Sequence, residues 1–68
     1  MTIQELLKSL ANKLVFASVN DTLTITAKTN DGVEIRRSLP ARNWSSVLAK
    51  YPDVASYEVI SHAWIDGE

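Results

Sequence analysis

The side chain with the widest range of chemistry in this 68-residue chain is His62, which is its only histidine. An imidazole can act as a general base, a proton donor or a metal ligand. Its neighbour Ser61 points to the other side of an extended strand, so adjacency does not make these two residues a catalytic dyad. Glu58 and Asp66 lie roughly 13 Å from His62 in either direction along such a strand, too far apart to share a metal ion. We therefore expect a non-enzymatic protein with no catalytic residue, no metal and no cofactor.

The absence of cysteine narrows the chemistry further. Without a thiol, the chain has no disulfide, no cysteine-ligated zinc or iron–sulfur cluster, and no thiol nucleophile. Its sequence also lacks a glycine-rich loop that could hold a phosphate.

A group of cations in the middle of the chain could contact phosphates: Arg36, Arg37, Arg42 and Lys50. Arg36 and Arg37 project to opposite faces of a strand, and the neighbouring Glu34 weakens the local positive field. The net charge of −1 also argues against a general coat for nucleic acid. A nucleic-acid-binding module using these four residues is therefore the alternative function, and a solvated surface of mixed charge is the structural alternative.

The last predicted strand, residues 57–65, is apolar on both faces. If its odd-numbered side chains face the helices, Ile60, His62 and Trp64 lie together on the open face. An exposed tryptophan is costly unless a partner covers it, and tryptophan is enriched at binding hot spots. The leading hypothesis is therefore an interaction module that binds a protein partner, or a second copy of itself, through this surface. In the structural alternative the register is reversed or both faces are covered, and Trp64 is then buried.

These residues must be positioned by a small set of elements. Thr2 and Glu5 have the spacing of a capping box, which predicts a first helix that ends near Lys13 or Leu14. The apolar stripe of this helix comprises Ile3, Leu6, Leu7, Leu10 and Leu14. Branched and aromatic residues follow it, so residues 14–19 are predicted to form a short strand.

Two alternating segments then predict a β-hairpin. Leu23, Ile25 and Ala27 alternate with threonines, and Val33, Ile35 and Leu39 lie on the apolar side of the second segment. A three-residue loop, residues 30–32, keeps the apolar faces together. It pairs Ala27 with Ile35 and Ile25 with Arg37, and it places Gly32 in the left-handed conformation. This register leaves Arg37 as one discordant cation on the apolar face.

A second helix follows the hairpin. Asn43 is its predicted cap, Trp44, Val47, Leu48 and Tyr51 lie on its apolar side, and Pro52 ends it. The predicted order is α-β-β-β-α-β. Residues 1–68 thus form one small α+β domain, with two helices packed on one face of an antiparallel sheet.

The longest uninterrupted apolar run has four residues, from Leu14 to Ala17, so we expect a cytoplasmic protein that does not associate with membranes. No small-molecule substrate is indicated, and the small size is typical of phage or mobile-element accessory proteins. Over residues 2–51 the predicted order resembles the topology of the double-stranded-RNA-binding domain. The helix that opens at Ala41–Arg42–Asn43–Trp44 is short and lacks the lysine pair of that family, so the chain is not assigned to it.

Overall fold

A computed structural model describes residues 1–67 of the chain. The elements in chain order are α1 (Ile3–Ser9), α2 (Ala11–Val15), β1 (Thr22–Lys28), β2 (Glu34–Pro40), α3 (Asn43–Lys50), a 3-10 helix (Pro52–Ser56) and β3 (Glu58–Ile65). The strands form one antiparallel sheet in the order β2-β1-β3. The predicted α+β class with an antiparallel sheet is confirmed.

The first helix begins with the predicted capping box. The Glu5 N–H donates to the Thr2 hydroxyl at 3.2 Å, and the Thr2 N–H donates to the Glu5 carboxylate at 3.0 Å. The Thr2 N–H bond holds the pKa of Glu5 below its ordinary value. The helix then breaks at Leu10, where the backbone φ of −97° and ψ of 10° leave the helical region. The single helix predicted to end near Lys13 or Leu14 is therefore divided into two helices, α1 and α2, of which α2 ends at Val15.

The strand predicted over residues 14–19 is wrong. Helix α2 continues through Val15, and the Asp21 carboxylate then closes a turn by accepting bonds from the Ser18 N–H and hydroxyl. The branched residues do not pair with β1, the strand that follows them, because β2 and β3 occupy both of its edges. The run of three consecutive strands on which the double-stranded-RNA-binding resemblance depends is therefore not formed.

The hairpin has the predicted register along its whole length, from Thr22 opposite Pro40 to Lys28 opposite Glu34. The Thr29 N–H donates to the Val33 carbonyl at 2.8 Å and closes the three-residue loop. Gly32 in this loop has a φ of +83°, as a type I turn with a following bulge requires.

Trp44 is the largest side chain in the core and is 2% exposed. Its indole N–H donates to the Leu23 carbonyl at 2.9 Å, so the one polar atom of the side chain is satisfied where it is buried. Arg42, rather than the predicted Asn43, occupies the N-cap position of α3, and its side chain makes no capping bond. The buried cluster around Trp44 comprises Ile3, Leu6, Leu7, Ala17, Leu23, Ile25, Ala27 and Ala41.

The last strand pairs with β1 and contains a register shift. Trp64 lies opposite Leu23 and His62 opposite Ile25, whereas Val59 lies opposite Ala27. One extra residue of β3 is therefore accommodated near Ile60 as a β-bulge. The bulge lets Val59 on one side and Trp64 on the other pack against the same core. The face that carries Leu23, Ile25 and Ala27 is called the inner face of the sheet below.

Candidate functional site

Trp64 is not displayed on an open face of the sheet, which corrects the predicted arrangement of the last strand. It is partly buried and packs against the core on the inner face, opposite Leu23. The Lys13 ammonium of α2 lies over its ring, 4.8 Å from the ring centre, and its indole N–H donates to the Asp66 carboxylate at 3.0 Å. The bulge causes the difference, because it reverses the alternation between Val59 and Trp64.

Ile60 and His62 are exposed in β3, which forms one edge of the sheet. The register places His62 opposite Ile25 of the inner face, and not on the face opposite to Trp64. Ile60 is 50% exposed, and Ile65 at the end of the strand is 56% exposed. The N-terminal residues cover only the beginning of this edge: the Val59 N–H donates to the Met1 carbonyl at 2.7 Å, and the Ile3 N–H donates to the Tyr57 carbonyl at 3.0 Å. Within residues 1–67, no segment pairs with the side of residues 60–65 that faces away from β1.

The four cations of the alternative function do not converge on one surface. Arg36 lies opposite Thr26 and Arg37 opposite Ile25, so their side chains leave opposite faces of the sheet. The Arg42 guanidinium donates to the Ala17 carbonyl at 3.0 Å, which ties α3 to the loop after α2. The Lys50 ammonium lies 5.6 Å from the centre of the Tyr51 ring.

An apolar cleft of about 430 Å³ lies between the inner face of the hairpin and the segment from α3 to the 3-10 helix. Arg37 from β2 and two tyrosines, Tyr51 and Tyr57, are its main polar side chains. The Arg37 guanidinium makes no hydrogen bond or ion pair with any of residues 1–67. The apolar residues of the lining are Ile3, Ile25, Ala27, Ile35, Leu39, Trp44, Val47 and Val54.

A second apolar surface lies at the end of α2 and was missed by the sequence analysis. Phe16 is 86% exposed, and Val15 and Val19 beside it are 72% and 69% exposed. Leu7, Leu14 and Leu48 line a shallower groove next to Val15, between α1–α2 and α3. Three of the residues that were predicted to form a short strand therefore lie in solvent, whereas Ala17 between them is buried.

Asp21 connects three segments of the fold. Its carboxylate accepts bonds from the Gly67 N–H at 2.9 Å and from the Ser18 N–H at 3.0 Å, and its carbonyl accepts from the Ala41 N–H at 2.8 Å. The bonds from the Gly67 and Ser18 N–H groups hold the pKa of Asp21 below its ordinary value. A Cβ at Gly67 would overlap the backbone carbonyl of Asn20, so this approach requires glycine. Asp21 is thus a structural residue.

The part of the chain that the structure describes contains no group of three His, Asp or Glu side chains close enough to hold a metal ion. None of the helices in residues 1–67 has the length and apolar character needed to cross a membrane. A scan against models of known protein families found no match, and comparisons with curated proteins and with solved structures found no significant match either.

Proposed function

We propose that this chain is a small, non-enzymatic interaction module that associates with a second copy of itself by pairing the open edge of β3 in the two copies. The observation that carries the proposal is the composition of that edge. Residues 59–65 carry no acidic residue, lysine, arginine, proline or glycine. On the side that faces away from β1, their main chain has no partner after Val59 within residues 1–67. A long, apolar and uncharged edge is a ready template for another strand.

The other edge of the same sheet has the opposite character. Strand β2 carries Glu34, Arg36 and Arg37 and ends at Pro40, which has no N–H to donate. Charged side chains and proline are the features with which proteins protect an edge from pairing. Only β3 is therefore suited to strand addition.

Pairing β3 with β3 of a second copy about a twofold axis is antiparallel, so it extends the antiparallel pattern that β1 already makes with both neighbours. The product is a continuous six-stranded sheet. It places the exposed side chains of Ile60 and Ile65 at the contact, where they lose apolar surface to water. His62 lies between them along the strand.

The test is the mass of the chain in solution. We expect sedimentation velocity to show a dimer for the wild type, and we expect Ile60→Lys and Ile65→Lys to raise the dissociation constant by at least ~10-fold, because a lysine on an edge must be desolvated when a strand is added. Val33→Lys is the matched control: Val33 is 58% exposed in the hairpin loop, and Ile65 is 56% exposed. A wild type that stays monomeric at millimolar concentration, or a control that dissociates as readily as the edge variants, would contradict the proposal.

A strand of a different protein could pair with the same edge. Pairing with a second copy is the arrangement that can be tested with the purified chain alone. A cytoplasmic location, which the composition predicts, stays a prediction.

A further inference from the structure

The cleft on the inner face combines apolar walls with one cation that has no hydrogen-bond or ion-pair partner within residues 1–67. Arg37 comes from the middle of β2, opposite Ile25, and extends from a sheet face whose neighbouring residues are apolar. Among the described residues, no acidic side chain lines the cleft, and the one ion pair within residues 1–67 joins Met1 and Glu58 elsewhere. A guanidinium beside an apolar surface can be satisfied by a carboxylate, which it binds through two parallel N–H bonds.

A second positive charge, that of Lys50, lies beside a residue that lines the cleft. Tyr51, which lines the cleft and is 51% exposed, has the Lys50 ammonium over its ring at 5.6 Å. These two cations, with no acidic side chain among the lining residues within residues 1–67, make the cleft attractive to an anion. Charge complementarity therefore favours an anionic ligand.

The apolar lining of the cleft determines the chemical character and the size of the rest of the ligand. The lining is mostly aliphatic and aromatic, as in small-molecule sites, where a few polar groups fix the orientation of an apolar ligand. A volume of about 430 Å³ also lies within the range of such sites. A methylene group or an oxygen atom is about the size of a water molecule, which takes up ~30 Å³. The cleft of about 430 Å³ therefore holds at most about 14 such groups. An unbranched carboxylic acid of about 10 to 12 carbons has that size.

We propose that this cleft binds a free medium-chain carboxylate, with its hydrocarbon chain between the inner face and α3 and its carboxylate on the Arg37 guanidinium. This site is separate from the β3 edge, because none of residues 59–65 lines the cleft. Binding of the acid and association of the chain can therefore succeed or fail independently.

The probe is decanoate, titrated into the ¹⁵N-labelled chain and followed by NMR and by calorimetry. We expect saturable binding, with shifts concentrated at the amides of Ile35, Arg37, Val47, Tyr51 and Val54. Acetate tests whether the hydrocarbon chain is needed, and decylamine tests whether the negative charge is needed. Both should bind much more weakly than decanoate, because each lacks one of the two features that the cleft recognises.

Arg37→Gln should weaken decanoate binding on the order of 10- to 100-fold, because it removes the charged partner of the carboxylate. Arg36→Gln is the matched control: it removes the same charge from the adjacent position on the opposite face and should leave the affinity unchanged. Circular dichroism of both variants checks that they are folded.

Three results would overturn the proposal. The first is no saturable binding of decanoate below the concentration at which it aggregates. The second is an equal loss of affinity in the Arg37 and Arg36 variants. The third is tighter binding of a short apolar peptide with a free terminal carboxylate, which would assign the cleft to a protein ligand.

Discussion

Gly32 is the residue in the hairpin whose backbone conformation restricts the choice of side chain. Its φ of +83° lies in the left-handed region, but a Cβ there would have no atom within 4 Å. The cost of substitution is therefore conformational and involves no clash with a neighbour. That cost should depend on the shape of the new side chain, because asparagine tolerates this region and β-branched residues do not.

We expect Gly32→Val to lower the free energy of unfolding by ~1 kcal/mol or more, and Gly32→Asn to lower it by clearly less. Urea denaturation of the two variants and the wild type measures the difference. Equal stability of the valine and asparagine variants would show that the positive φ is not maintained in solution.

Arg37 shows how much the sequence can predict about a single residue. The pairing of Ile25 with Arg37 follows from loop length and alternation, and it places a cation on the apolar face. The cleft beside Arg37 was not predicted, because its walls come from residues as far apart as Ile3 and Tyr57. Local patterns specify the direction of a side chain, but tertiary packing decides what surrounds it.

At the scale of elements, the patterns that depend on neighbours in sequence were predicted well. The capping box at Thr2 and the end of α3 before Pro52 depend on contacts within a few residues, and the hairpin register depends on the short loop between two consecutive strands. The bulge near Ile60 depends on how β3 meets a strand more than thirty residues earlier in the chain, so the alternation of β3 alone predicted the wrong face for Trp64. Residues 14–19 were misassigned for a related reason: both edges of β1, the strand that follows them, are occupied by β2 and β3.

The loop between α2 and β1 should make stability depend on pH through Asp21. The pKa of Asp21 is lowered in the folded state by the N–H groups of Gly67 and Ser18, so its contribution is complete above its ordinary pKa of 3.8. That contribution is lost as pH falls through the lowered folded-state value. Wild type should therefore be more stable than Asp21→Asn at pH 7, and the difference should shrink below pH ~4.

Urea denaturation of both proteins at pH 7 and at successively lower pH tests this expectation. Asp31→Asn is a suitable control, because Asp31 lies exposed in the hairpin loop. A difference between wild type and Asp21→Asn that does not change with pH would show that hydrogen-bond geometry, and not charge, accounts for the effect of Asp21.

At the scale of the whole molecule, size limits stability. A chain of about 60 residues buries only ~60% of the surface that its unfolded form exposes. Several large apolar side chains also remain outside the core, Phe16 and Ile65 among them. Association through β3 would add buried surface that the monomer cannot supply.

If the dimer forms, the melting temperature must depend on protein concentration. We expect it to rise by several degrees between about 10 µM and 1 mM for the wild type, because the folded dimer is favoured by mass action. Ile60→Lys should show little dependence. Calorimetry at several concentrations measures both, and a wild-type melting temperature that does not change over this range would contradict association.

The central position of β1 also has a consequence for the order of folding. Lys28 pairs with Glu34 six residues later and with Glu58 thirty residues later, so the second pairing closes a much longer loop. The difference in loop-closure entropy is ~1.4 kcal/mol. We therefore expect the hairpin to form first and β3 to dock last. Until β3 docks, one edge of β1 stays open beside Leu23, Ile25 and Ala27, and this incomplete sheet is the species through which the chain would aggregate during refolding.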